Sequence, residues 1–372
     1  MEEVEVSEAR PPWRPPPWVR DWTVWIPLIG AILVALAWGW EIAPLMVGVV
    51  AVLLAASVLA AVHHAEVVAH RVGEPYGSLV LAVAVTLIEV ALIVTLMVTG
   101  GPSTASLARD TVFAAVMITC NGILGLSVLV GALRTHVAVF NAEGAATALA
   151  TIATLATLTL VLPSFTTTTP GSVFSPAQLT FAAIASIVLY ASFVIVQTVR
   201  HRDFFVPEAD ADAGHDADPP SNRQAFASLV LLLVALVAVV GLAKIESPAI
   251  EDGVSAIGAP ASAVGVVIAL LVLLPESLAA VRNARRNRVQ SSLNLAFGSA
   301  IASIGLTVPA IAVASIWLTG PLVLGLEPTQ LVLLAITVVL AALTVLPGRA
   351  TVQEGAVHLV LLGAFLVLAV YP

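Results

Sequence analysis

Two glutamates carry chemistry that the rest of this sequence has to position. Glu89 stands in LAVAVTLIEVALIVTLMV, with no other charged residue between Glu74 and Arg109. Glu276 stands in GVVIALLVLLPESLAAV, with no charge before it back to Asp252. A carboxylate inside an apolar run is costly to keep in a bilayer and reads as functional by default. Protons and a hard cation compete for carboxylate oxygens, because low dielectric favours the protonated form and a neighbouring cation the ionised one. A pair of carboxylates offers a charged oxygen donor set suited to Ca²⁺ or Na⁺, and its protons belong to the pair rather than to either residue. Glu89 and Glu276 are therefore the expected metal and proton ligands.

The neighbours of both residues fit such a site. Pro275 has no N–H to offer the carbonyl of Leu271, which is freed one turn before Glu276. Freed carbonyls in membrane helices are tolerated where they line a cavity or bind an ion. Pro309 frees the carbonyl of Gly305 in the same way. Thr86, Asn121, Ser299, Ser303 and Thr307 offer neutral oxygens, and Gly298 and Gly305 allow close helix approach. The plainer readings are that Glu276, six residues from Arg282, snorkels, and that the hydroxyls bond to their own helices. In HHAEVVAHRVGE (63–74), His63, Glu66 and His70 share one helical face at i, i+3, i+7. They would hold a metal or sense pH, with a polar helix end as the plainer alternative. Glu66 would guide cations inward.

The elements that carry these residues are membrane spans. Of 372 residues, 59% are hydrophobic and 10% charged, against about 25% charged in soluble domains; the mean hydropathy is +1.04. Apolar windows of roughly 20 residues recur along the chain, and nothing alternates as a transmembrane barrel would. The one cysteine, Cys120, excludes a disulfide framework and thiolate zinc sites. The Pro- and Trp-rich N-terminus does not read as a cleavable signal; Trp13, Trp18, Trp22 and Trp25 read as interfacial anchors.

Eleven spans are expected, near 23–40, 43–62, 77–99, 111–133, 144–163, 177–199, 224–243, 254–281, 291–318, 328–346 and 353–371. With that count, one side receives all Lys and Arg residues except Arg109 and Lys244. The positive-inside rule then puts the N-terminus in the cytoplasm and the C-terminus outside the inner membrane. The expected fold is an all-α membrane protein. It has a cytoplasmic tail (1–22), one extra first helix (23–40), five helices (43–199), an acidic cytoplasmic loop (200–223) and five more helices (224–372). That loop, with Glu208, Asp210, Asp212, Asp216 and Asp218, reads as a solvated linker, and RNARRNR (282–288) as a topogenic cluster. Five being odd, two similar halves would insert in opposite orientations, with the ion site at their interface near the midplane. VTLIEVALIV (85–94) echoes VLLPESLAAV (272–281) with the glutamates aligned, and ILGLSV (123–128) echoes SIGLTV (303–308).

These residues resemble the calcium/cation antiporter superfamily, and within it the ChaA-type bacterial cation/proton antiporters. The resemblance is carried by AHRVGEPYGSLVLAVAVTLIEVALIVTLM (69–97), RDTVFAAVMITCNGILGLSVLVGALR (109–134) and LLPESLAAVRNARRNRVQSSLNLAFGSAIASIGLTVPAI (273–311). It places Glu89 and Glu276 on the two motif glutamates and Gly298-Ser299 on the G-S step of the next helix. It implies alternating access and export of Ca²⁺ or Na⁺, or K⁺, driven by protons. The calcium/proton exchangers of that superfamily carry a G-N pair before each glutamate, and a glutamine four residues after the second G-S glycine. Here Val85-Thr86, Val272-Leu273 and Ala302 stand there, with fewer neutral oxygens, so the choice between Ca²⁺ and Na⁺ stays open. The expected partners are small cations, protons and the lipid bilayer, with no enzyme activity, cofactor or nucleic acid; homo-oligomerisation is left open. A passive cation channel and an intramembrane metalloenzyme built on His63, Glu66 and His70 are the alternatives.

Overall fold

The computed structural model describes residues 21–37, 39, 44–73, 76–205, 220–318 and 320–372. Trp13, Trp18, Glu41 and the acidic loop from Glu208 to Asp218 lie outside the described residues. Helices follow one another almost without interruption. The first half holds α1 (Trp22–Ala37), α2 (Pro44–Val72), α3 (Tyr76–Gly100), α4 (Leu107–Met117), α5 (Leu124–Thr135), α6 (Ala142–Ala156) and α7 (Pro176–Ile195). The second holds α8 (Asn222–Ala256), α9 (Ala263–Val272), α10 (Leu274–Arg285), α11 (Val289–Ala314), α12 (Pro328–Val345) and α13 (Val352–Val370). A π-helical turn at Ile118–Ile123 joins α4 and α5 into one rod.

The helix ends follow from local sequence. Ser175 with Gln178, Ser221 with Gln224 and Thr351 with Glu354 form capping boxes that satisfy orphan N–H groups at the starts of α7, α8 and α13. Gly73, at φ +76°, turns the chain after α2 in a conformation that costs glycine little.

Among the described residues, nine helical segments are long and apolar enough to cross a membrane, or ten if α9 and α10 form one span. The chain is thus an all-α, multi-pass membrane-type fold. α1 is apolar but has 16 residues, about 24 Å at 1.5 Å per residue against a core of about 30 Å. The expected span 254–281 differs most from the structure. α8 carries on to Ala256, the chain turns at Gly258 (φ +73°), and α9 meets α10 at a 52° bend. The bend comes two residues before Pro275, which sits in the first turn of α10, where its missing N–H costs no helical bond.

The centre is built by two rods. Within their apolar windows, Leu107–Thr135 is 89% and Val289–Ala314 67% buried, against 17% for Val352–Val370. Ile32, Val52, Phe181, Val188, Leu233, Leu343 and Val360 face outward, where lipid takes the place of water. Small residues let the central rods be approached closely. A Cβ on Gly125 would meet the His358 Cβ of α13 at 2.8 Å, and one on Gly305 the Tyr190 Cβ of α7 at 2.9 Å.

Hydrogen bonds sort the loops into two ends. At one end, Arg71 Nε donates to Asn222 Oδ1 (2.7 Å), the Asn141 amide to Gln290 Oε1 (2.6 Å), and the Phe140 amide to the Gly348 carbonyl (3.0 Å). There Ala138–Val139 pairs antiparallel with Arg349–Ala350. At the other end, the Val323 amide donates to the Ala105 carbonyl, Gly325 to Ser172, and Leu326 to Leu160, and Val173 bridges Val323. The first end carries Arg71, Arg349 and the arginines that follow α10, and is called the basic end below. α1 is tied to the same end, where Asp21 accepts from the Thr23 amide and hydroxyl and His64 Nε2 lies 3.0 Å from the Thr23 carbonyl. The Thr23 hydroxyl holds the Asp21 carboxyl below its ordinary value.

Candidate ion-binding site

Glu89 lies midway along α3, and Glu276 is the third residue of α10. The bend before α10 exposes a helix N-terminus beside Glu276, whose unpaired N–H groups and dipole favour a negative charge. Both carboxylates are buried, at 4% and 7% exposure. Both line one cavity of about 360 Å³, together with Thr86 of α3 and Gly298, Ser299 and Ser303 of α11. Ser303 Oγ donates to Glu89 Oε1 at 2.6 Å. Thr307 Oγ1 lies beside Glu89 without a hydrogen bond of its own, and Glu276 Oε2 is likewise buried and unpartnered among the described residues. Glu89 and Glu66 are both within electrostatic reach of Glu276.

From Glu89 the cavity extends towards the basic end, where Glu66 of α2, Gln197, Asn283 and Asn294 line it. Asn294 is held by Gln290 (2.8 Å) and by the Phe205 carbonyl. A polar mouth leads to a buried floor with two carboxylates, a hydroxyl already bonded to one of them, and one carboxylate oxygen with no partner among the described residues. An arrangement of that kind can take up a dehydrated cation or one or two protons, and each excludes the other from the same oxygens.

Most of the residues singled out by sequence meet here: Glu89, Glu276, Thr86, Ser299, Ser303 and, at the mouth, Glu66. Leu271, Asn121, Thr307, His63 and His70 do not line the cavity. Leu271 leaves the wall at the helix break to Val272 and Leu273. Asn121, on the π turn, donates from Nδ2 to Thr337 Oγ1 (2.9 Å), and its Oδ1 lies 3.0 Å from His358 Nδ1. His358 Nε2 in turn meets Thr344 Oγ1 at 3.0 Å. An amide oxygen only accepts, so Nδ1 of His358 carries a proton. This wholly buried network ties the π turn to α12 and α13, and π turns concentrate at functional places. Among the described residues no three His, Cys, Asp or Glu side chains converge as a metal cluster, and His63 and His70 do not join Glu66 in one.

A second polar group closes the far end. Arg109 Nε donates to Asp110 Oδ1 (2.8 Å), Nη2 to Glu327 Oε1 (3.2 Å) and Nη1 to the Gly325 carbonyl (3.2 Å). Asp110 also accepts from Ser106 (2.8 Å) and Gln330 (3.2 Å). Sequence reading passed over this cluster and the His358 network, because their members lie some 200 residues apart; the one local signal was the adjacent charge pair Arg109-Asp110.

The Sodium/calcium exchanger protein family is matched over residues 42–199 and 227–371. The chain belongs to that family. The family is one of transporters and not of catalytic enzymes, which favours neither the pore nor the metalloenzyme reading. The chain is 44% identical over 358 residues to the "Putative ionic transporter y4hA" of Sinorhizobium fredii, covering 94% of this chain and 96% of that one. It is 35% identical over 314 residues to the "Sodium-potassium/proton antiporter ChaA" of Escherichia coli, covering 83% and 84%. Its fold matches that of a solved H⁺/Ca²⁺ exchanger, CAX, at a TM-score of 0.68 and 16% identity, covering 93% of this exchanger and 91% of that chain.

Proposed function

We propose that this exchanger moves a cation outward across the inner membrane in return for protons, with Glu89 and Glu276 as the shared carriers. The observation that carries the reading is the pair of buried glutamates on one cavity, Glu89 bonded to Ser303 and Glu276 left with an unpartnered oxygen. Thr86, Ser299 and Ser303 supply neutral oxygens to the cation. Asn121 acts through the π turn, since its amide is engaged by Thr337 and His358. Glu66 receives cations at the basic, cytoplasmic mouth, with the N-terminus in the cytoplasm and the C-terminus outside.

The exchange proceeds by alternating access between two inverted halves, 43–199 and 224–372, preceded by one extra helix, eleven in all. Three pairs of contacts support this reading, because exchanging the halves turns each into its partner. α5 packs on α13 as α11 packs on α7. Gly125 and Gly305, aligned in the two echoing segments, are points of close approach in those packings. The strand pair Ala138–Val139 with Arg349–Ala350 corresponds to the bridge Val173–Val323 at the opposite end.

The cation is Na⁺ or Ca²⁺, with K⁺ included. The Escherichia coli relative is named a sodium-potassium/proton antiporter, and Val85-Thr86, Val272-Leu273 and Ala302 offer no side-chain amide to a divalent ion. Everted vesicles with an internal pH indicator test the reading. Adding Na⁺, Ca²⁺ or K⁺ should release protons from the lumen with the native chain. Glu89→Gln and Glu276→Gln should insert normally and give no response. Near-native exchange by either variant would sink the mechanism.

A further inference from the structure

The helix that leads into each glutamate-bearing span carries a further carboxylate at a matching position. In α2 the run AEVVAHRVG (65–73) holds Glu66, Ala69 and Gly73; in α8 the run IESPAIEDG (245–253) holds Glu246, Ala249 and Gly253 at the same spacing. α2 and α8 pack against each other over a long stretch. Their carboxylates sit at opposite ends of the molecule. Glu66 is six residues from the end of α2 at the basic end, where it lines the cavity mouth. α8 starts at that same end, its Asn222 bonded to Arg71. Glu246 lies 24 residues further on (246 minus 222), about 36 Å along the axis at 1.5 Å per residue.

The two carboxylates differ in their surroundings. Glu66 faces a cavity, whereas Glu246 is 3% exposed and its Oε2 is buried without a hydrogen bond among the described residues. Leaving such an oxygen unmade is unfavourable. An apolar side chain would fill the position without that cost. The carboxylate is of use in a conformation in which this end of α8 opens to water. Glu251 and Asp252, exposed one turn further on, form an acidic approach to it.

We propose that Glu246 is the counterpart of Glu66 for the opposite face: the carboxylate that holds the cation at the outer mouth when the site opens outward. The inference rests on the alternating access proposed above and names a residue for its second half-cycle. Exchange of the two halves carries Glu66 onto Glu246, so the closed, orphaned state of one and the open, cavity-lining state of the other are two phases of one role.

Vesicles of both orientations test it, with Na⁺ and Ca²⁺ as the probes. Glu246→Gln should raise the half-saturating concentration of cation presented at the outer face about tenfold, with less than about twofold change at the cytoplasmic face. Glu66→Gln should do the reverse, and Glu246→Asp should keep the native outer-face value. Equal changes at both faces, or none, would overturn the proposal. Should Glu246→Gln fail to fold, a cysteine probe replaces it, because the chain's one cysteine, Cys120, is 1% exposed. In a Cys120→Ala background, Glu246→Cys should react with a membrane-impermeant maleimide from the outer face alone. Reaction from the cytoplasmic face, or from neither, also overturns it. If Glu89→Gln still exchanged, the alternating-access reading would fail first. Loss of exchange there, with face-independent effects of Glu246→Gln, would sink this inference alone.

Discussion

Ser303 and Glu89 form a direct side-chain hydrogen bond between the two helices that carry most of the floor, α11 and α3. A hydrogen bond to a charged group is worth about 1.5–3 kcal/mol. Ser303→Ala should therefore weaken cation binding by about tenfold while leaving proton-coupled exchange measurable, a milder outcome than Glu89→Gln. Half-saturation for Na⁺ or Ca²⁺ in vesicles checks this, and complete loss would show that Ser303 does more than orient the carboxylate. At this scale the sequence was informative where a residue was anomalous for its surroundings. Glu89 and Glu276 were legible because a carboxylate in hydrocarbon has no cheap explanation. His358, Thr337 and Thr344 were not, since a hydroxyl or an imidazole in a span bonds to its own helix as readily as to a neighbour.

Between elements, the closeness of the helices rests on particular glycines. Gly305 lies against the Tyr190 Cβ of α7, whereas a Cβ on Gly298 meets nothing within 4 Å. Gly305→Ala should lower the thermal stability of the detergent-solubilised protein, in the range of about 1–3 kcal/mol that overpacking costs. Gly298→Ala should leave the melting temperature unchanged. The reverse order would mean that α7 and α11 do not meet as described. Arg109→Ala removes the cation from a cluster that holds Asp110 buried at the far end. Breaking a buried pair in this way costs about 3–5 kcal/mol, and the same melting measurement should show it as the larger loss. The helices themselves were legible from apolar windows and caps. The division of one expected span into α9 and α10 was not, although Pro275 marked its neighbourhood. A proline is tolerated in the first turn of a new helix as well as at a kink in an old one, and the packing of α9 against α4 decides between them.

In the proposed exchange the whole molecule couples its two substrates by making them share oxygens. As pH falls on the loading side, protons occupy the carboxylates and the cation must displace them; as pH rises, the ionised pair is free to bind. The half-saturating cation concentration should therefore rise as pH falls, by at most about tenfold per pH unit for each proton displaced. Flux measured at several cation concentrations and pH values checks the sign, and a pH-independent affinity would rule out competition at a common site. By itself the sequence determined that the chain spans a membrane many times, and it singled out Glu89 and Glu276 as carboxylates isolated in apolar runs. Composition, apolar run length and isolated charge are local quantities, and they are set before the chain folds. Only the tertiary structure decided that both carboxylates line one cavity and that Ser303 bonds Glu89. It also turned Asn121 towards His358 and left Glu66 open to a mouth where Glu246 is shut away. These facts depend on the rotation of each helix about its axis and on contacts between residues far apart in the chain. A nearly uniform apolar surface encodes that rotation weakly, so packing among the helices determines it.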